Sequence, residues 1–149
     1  MWATQVILLD SIWRRGAVHE YRPLGLGYAN LGALLMYFGL AYDSPGGRAL
    51  AATITALMTG QAYLSSSILA SSIGPFDEYE KNAKPMLNVM KKHKDAVKNI
   101  ENSLVPDNLI ESAEEVWTEV LEFGSNLRIS ECPNHGTGSH RYHWIYDGL

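Results

Sequence analysis

Two long stretches of this chain carry no charge, and they restrict what it can fold into. Leu24 to Tyr42 and Ala49 to Gly74 contain no Asp, Glu, Lys or Arg, whereas charges crowd into residues 77–122. Each uncharged stretch approaches the roughly 20 residues that span a bilayer, so a helical membrane hairpin is one reading. The second stretch, however, holds Thr53, Thr55, Thr59, Gln61, Ser65, Ser66, Ser67, Ser71 and Ser72. Those hydroxyls and the amide suit lipid poorly. A helix buried inside protein explains the same pattern. It follows that two helices apolar nearly all round need more partner surface than the rest of a short chain supplies.

Local signals predict a mainly α fold of about four helices with an irregular C-terminal tail. The first helix is expected over Ala29–Phe38, with Gly39 near its end. Asp43 or Ser44 can cap the second, and Pro45 suits a first helical position, where its missing N–H costs nothing. That helix is expected from about Gly46 to Ile73, stopped by Gly74-Pro75. The third is expected over 83–101, with Pro85 in its first turn. Met86, Val89, Met90, His93, Val97 and Ile100 fall on one face. The fourth opens at Pro106-Asp107, with Asp107 as cap and an apolar face of Leu109, Ala113, Val116, Trp117, Val120 and Leu121. Gly124 is expected to end it. Lysines dominate the third helix and glutamates the fourth, which favours an antiparallel pair. Each exposed ion pair adds only about 0.2–1 kcal/mol.

The chain has 149 residues, the size of one domain. Its 12 Lys and Arg against 16 Asp and Glu give a net charge of −4, which argues against nucleic-acid binding. Apolar residues at 46% suffice for a packed core. A single cysteine excludes an internal disulfide and any chemistry needing a pair of redox thiols within the chain. The segment from Met1 to Asp10 has no basic n-region, so no secretory signal is expected.

Several motifs invite a functional reading. Gly25, Gly27 and Gly32 suggest a dinucleotide loop, but the fingerprint needs its third glycine where Asn30 stands, and no βαβ unit is expected around it. Close backbone packing where the helix begins is the simpler reading. Lys91-Lys92-His93-Lys94 could meet phosphates, yet such a run is more often a solvated helix face. The carboxylates of the fourth helix lack the Glu-x-x-His motifs of a di-iron bundle. His19 and His93 are expected to be structural. Cys132, His135, His140 and His143 offer zinc four S and N ligands, which makes a small zinc-binding helical module a third reading.

The segment Tyr21-Arg-Pro-Leu-Gly-Leu-Gly-Tyr-Ala-Asn-Leu-Gly-Ala-Leu-Leu-Met36 resembles the adenosylcobalamin-dependent (class II) ribonucleotide reductases. The likeness continues through Tyr42-Asp-Ser, Arg48-Ala-Leu-Ala, Ala56-Leu-Met-Thr-Gly60, Gly74-Pro-Phe and Lys84-Pro-Met-Leu-Asn-Val-Met-Lys-Lys-His93. It covers roughly residues 19–124, loosening through Trp117, and residues 1–18 match poorly. The resemblance therefore implies a helical piece of that family's α/β barrel, catalytic-domain residues 19–124, followed by a tail of a different character over 125–149.

Where the family continues with Tyr-Arg-Asn-Ala-Gln and then Pro-Thr-Gly-Thr-Ile-Gly, this chain reads Arg128-Ile-Ser-Glu-Cys-Pro-Asn-His. Codons compatible with Gly136 to Leu149, read one base out, spell Val-Leu-Ala-Pro-Thr-Gly-Thr-Ile-Gly-Phe-Met-Met-Asp. The same shift turns Glu131 to His135 into a segment containing Asn-Ala-Gln. The tail is thus expected to be frame-shifted and poorly ordered, and its Cys/His array to be a by-product.

For chemistry, the resemblance implies a cobalt–carbon bond that breaks to a radical, a thiyl that takes the ribose 3′ hydrogen, and a cysteine pair that supplies electrons as the 2′ hydroxyl leaves as water. The thiyl cysteine and its carboxylate lie upstream of the first matching motif. Cys132 matches no family cysteine. No catalytic residue and no metal ligand is therefore assigned, and no cofactor-binding or substrate-binding residue is identified. Adenosylcobalamin, a ribonucleotide and a thiol reductant belong to the intact family. The isolated chain is expected to bind no cofactor, to be inactive, and to engage neither membrane nor nucleic acid. The family implies a cytoplasmic location.

Overall fold

The computed structural model describes residues 20–126 and 132–133. Strand β1 (Pro23–Leu24) precedes four α-helices: α1 (Leu31–Tyr37), α2 (Pro45–Ile73), α3 (Tyr79–Val97) and α4 (Asp107–Asn126). A 3-10 turn, Asn102–Leu104, leads into α4, and strand β2 (Cys132–Pro133) follows it. β1 and β2 pair in parallel, Pro23 opposite Cys132 and Leu24 opposite Pro133. β2 lies in the segment expected to lack a packing partner. The remainder of that tail, and residues 1–19, lie outside the described residues.

The ends of α1 and α2 follow from single residues. α1 stops in a Schellman turn: Gly39 takes φ +69°, its N–H donates to the Met36 carbonyl, and the Leu40 N–H donates to the Leu35 carbonyl. The start of α1 falls two residues later than expected. Asn30 sits before it at φ 67°, a left-handed conformation that Asn tolerates. At α2 the cap is Ser44. Its Oγ accepts from the Gly47 N–H at 3.0 Å and donates to the Ala41 carbonyl at 2.7 Å. Asp43 instead pairs with Arg48 at 2.5 Å. Gly74, at φ +84°, closes α2 before Pro75, as expected.

Three expected boundaries shift, each through tertiary packing. α3 begins at Tyr79, four residues early, because Tyr79 is buried edge-on against Phe76, with ring centroids 5.5 Å apart. Pro85 therefore lies in the helix interior, where it cannot donate to the Lys81 carbonyl. α3 also ends at Val97, short of the expected 101. Asp107 is the first residue of α4, not its cap. Gly124 does not end α4. It is buried within it, and a Cβ there would lie 3.4 Å from Leu87 Cδ2 on α3.

α2 forms the axis, and α4 packs along it. Leu50, Thr53, Tyr63 and Ser67 of α2 are buried with Ala113, Trp117 and Val120 of α4 and Met90 of α3. The hydroxyls that argued against a lipid-facing helix are satisfied one turn back: Thr53 donates to the Ala49 carbonyl at 2.9 Å, Thr55 to Ala51 at 2.8 Å and Ser67 to Tyr63 at 3.0 Å. Among the described residues, no helix is long and apolar enough to cross a membrane. The expected face of α3 holds at Met90, Val97 and Ile100 but not at Val89, which is 39% exposed because it stands one position off the line facing α4. α3 and α4 run antiparallel, as their charges suggested: Gly124 meets Leu87 and Met90, while Trp117 meets His93.

Candidate functional site

A partly enclosed space lies where α2, α3 and α4 meet. Ala52, Ala56 and Gly60 recur every fourth residue of α2, so they lie along one side of that helix. The small side chains let α4 approach closely. The Trp117 indole N–H donates to the Ala56 carbonyl at 3.1 Å, and a Cβ on Gly60 would fall 2.7 Å from Val116 Cγ1. Tyr63 lies against the same indole with ring centroids 5.9 Å apart. From α3, the His93 imidazole stacks on Trp117 at 5.3 Å and an interplanar angle of 26°. Beside these rings is a cavity of about 30 Å³, lined also by Thr55, Thr59, Ala96, Val97 and Ile100. That volume holds a water molecule or two and nothing larger.

Burial pushes the His93 imidazole below its usual pKa of 6.5, so it is neutral at pH 7. A neutral ring stacked on an indole locks three helices together, and the lining of the cavity beside it holds the Thr55 and Thr59 hydroxyls and no carboxylate. His19 lies outside the described residues. Tyr28 Oη is 2.9 Å from Thr55 Oγ1, tying the glycine-containing loop to α2.

The other motifs resolve individually. At Gly27 and Gly32 close packing is not the reason for glycine: among the described residues, a Cβ there would meet nothing within 4 Å. β1 does precede it and is paired in parallel with β2, but the connection between them runs through all four helices and does not form a βαβ unit. Lys91 and Lys92 are exposed, and Lys94 is partly exposed. Glu111, Glu114, Glu115 and Glu119 line an open shelf on the outer side of α4. Among the described residues, no three His, Cys, Asp or Glu side chains cluster as a metal site. Of the zinc array, only the backbone of Cys132 is described; His135, His140 and His143 lie outside. The crossing at Gly60 and the burial of Ile110 were not anticipated, although the Ala52, Ala56 and Gly60 spacing was a visible signal for the first.

The described residues form four α-helices with one short pair of parallel strands. The family model described as "Ribonucleotide reductase, barrel domain" matches residues 13–132, and the chain belongs to that family. The match begins six residues before and ends eight residues after the span 19–124. Among similar proteins, the vitamin B12-dependent ribonucleotide reductase of Streptomyces coelicolor is 52% identical over 105 residues, covering 70% of this chain and 11% of that protein. The one from Rhodopirellula baltica is 49% identical, covering 71% and 10%, and that from Bradyrhizobium diazoefficiens is 40% identical, covering 71% and 10%. The chain thus spans about a tenth of the length of the curated relatives it matches.

The described residues do not fit a corrin cofactor. A cavity of about 30 Å³ beside His93 cannot admit a macrocycle, and the open shelf on α4 presents carboxylates alone apart from Thr118.

Proposed function

We propose that this polypeptide is a supporting helical segment of a vitamin B12-dependent ribonucleotide reductase barrel and has no reductase activity alone. In the intact enzyme the chemistry is reduction of a ribonucleotide with adenosylcobalamin and a thiol reductant, in the cytoplasm, to supply DNA synthesis. The observation that carries the reading is a family match over residues 13–132 of a chain with a single cysteine. One thiol cannot act as both the hydrogen-abstracting radical and the reducing pair. Neither a catalytic nor a metal-binding role is assigned to any residue. Residues 125–149 are read as the product of a shifted frame, which sequencing the coding DNA across codons 124–149 tests directly.

The activity test uses the purified full chain with adenosylcobalamin, dithiothreitol and each ribonucleoside diphosphate and triphosphate in turn. The expected result is no deoxyribonucleotide above a no-protein control. Sustained turnover would refute the reading.

A further inference from the structure

The last two turns of α2 present an uncovered apolar stripe. Ile68 is 52% exposed, Leu69 44% and Ile73 63%, with the exposed Ser65 and Ser72 between them on the same face and no charged residue between Ala49 and Gly74. Ala70 and Ser67, on the opposite side, are buried. The described chain begins near that end of α2. The Glu20 carbonyl accepts a hydrogen bond from the Glu78 N–H at 3.4 Å, and the Tyr21 ring lies 5.9 Å from Phe76, three residues beyond Ile73. Residues 1–19 therefore join the described fold beside the uncovered end of α2. Their own composition is apolar: Trp2, Val6-Ile-Leu-Leu9, Ile12 and Trp13, with Asp10, Arg14 and Arg15 the only Asp, Glu, Lys or Arg.

We infer that Val6 to Leu9, with Ile12 and Trp13, covers the stripe formed by Ile68, Leu69 and Ile73. The reach is sufficient. Leu9 stands eleven positions before Glu20, about 16 Å if helical and about 36 Å if extended. Ile73 to Ile68 is only about 7.5 Å along α2. Burial of apolar surface on both partners drives the contact. The inference rests on the exposed face and on where the chain leaves the fold, and it holds or fails independently of the reading proposed above.

Hydrogen–deuterium exchange on the full chain tests it. Amides 6–13 should exchange at least tenfold more slowly than an unstructured peptide of the same sequence, independently of protein concentration. Ile68→Lys with Ile73→Lys should abolish that protection while amides 113–120 of α4 keep theirs. Ile7→Lys with Leu8→Lys, which changes no residue of α1–α4, should abolish it equally, and this variant decides the matter if the first pair unfolds the helices. Unprotected wild-type amides, or protection that survives the Ile7/Leu8 variant, overturns the inference. Protection that vanishes on dilution together with a dimer in sedimentation also overturns it, because a second copy then covers the face.

Discussion

Replacing Gly60 by Ala should destabilise the chain even though alanine is the better helix former. Gly60 lies in the middle of α2, where the exchange would ordinarily gain about 0.8–1 kcal/mol. The new Cβ, however, would stand 2.7 Å from Val116 Cγ1 and 3.2 Å from Trp117 Nε1. Val116 is β-branched and sits in a helix, so its χ1 has essentially one low-energy setting and cannot swing away. Overpacking of this kind costs about 1–3 kcal/mol. Displacing the indole also weakens its hydrogen bond to Ala56, a further loss of about 0.5–1.5 kcal/mol. The balance is a net destabilisation of about 1–3 kcal/mol. Gly32→Ala serves as the control, because a Cβ there meets nothing and it also lies in a helix. It should be neutral or stabilising by up to about 1 kcal/mol. Urea denaturation followed by circular dichroism at 222 nm measures both. If Gly60→Ala proves as stable as the parent, the account of the α2–α4 crossing is wrong.

Other perturbations probe single features. Ser44→Ala removes the acceptor for the Gly47 N–H and should cost about 1 kcal/mol in the same denaturation assay. Pro85→Ala lets residue 85 donate to the Lys81 carbonyl and should raise stability by about 1–3 kcal/mol, read as a higher urea midpoint and stronger helical ellipticity. The pH dependence of His93 has a definite sign. Its folded pKa lies below 6.5, so between that lower value and 6.5 the unfolded chain binds more protons. The contribution is intact above about pH 6.5 and is lost as pH falls through the window. His93→Gln should therefore lose stability less steeply than the parent between pH 7.5 and pH 5, measured as the difference in urea midpoints. Equal slopes would show that His93 is not held neutral by burial.

Much of the local architecture was legible because it depends on near neighbours. Ser44, Pro45 and Gly74 delimit α2 through side-chain capping and left-handed backbone geometry, which operate over four or five residues. The buried-helix reading of 49–74 was legible from its hydroxyls, since lipid would leave them costly and a protein interior lets them bond one turn back. The start of α3 was not legible, because it depends on Tyr79 finding Phe76, and Pro85 pointed to a later start. Nor was the fate of Gly124, which reads as a stop until a neighbouring helix lies against it. The candidate site was half visible. His93 and Trp117 stood on the expected apolar faces, but nothing local specifies that their rings stack.

What the amino-acid order determined alone is a set of helices with known caps, an uncharged axis helix and membership in a reductase family. Those follow from short-range chemistry and from motif identity. Only the tertiary structure decided that α4 crosses α2 at Gly60, that His93 is partly buried against Trp117, and that Ile68, Leu69 and Ile73 are left uncovered. Each of these depends on distances between residues far apart in the chain. Such distances are set by how whole helix surfaces fit together, a property that no local pattern encodes.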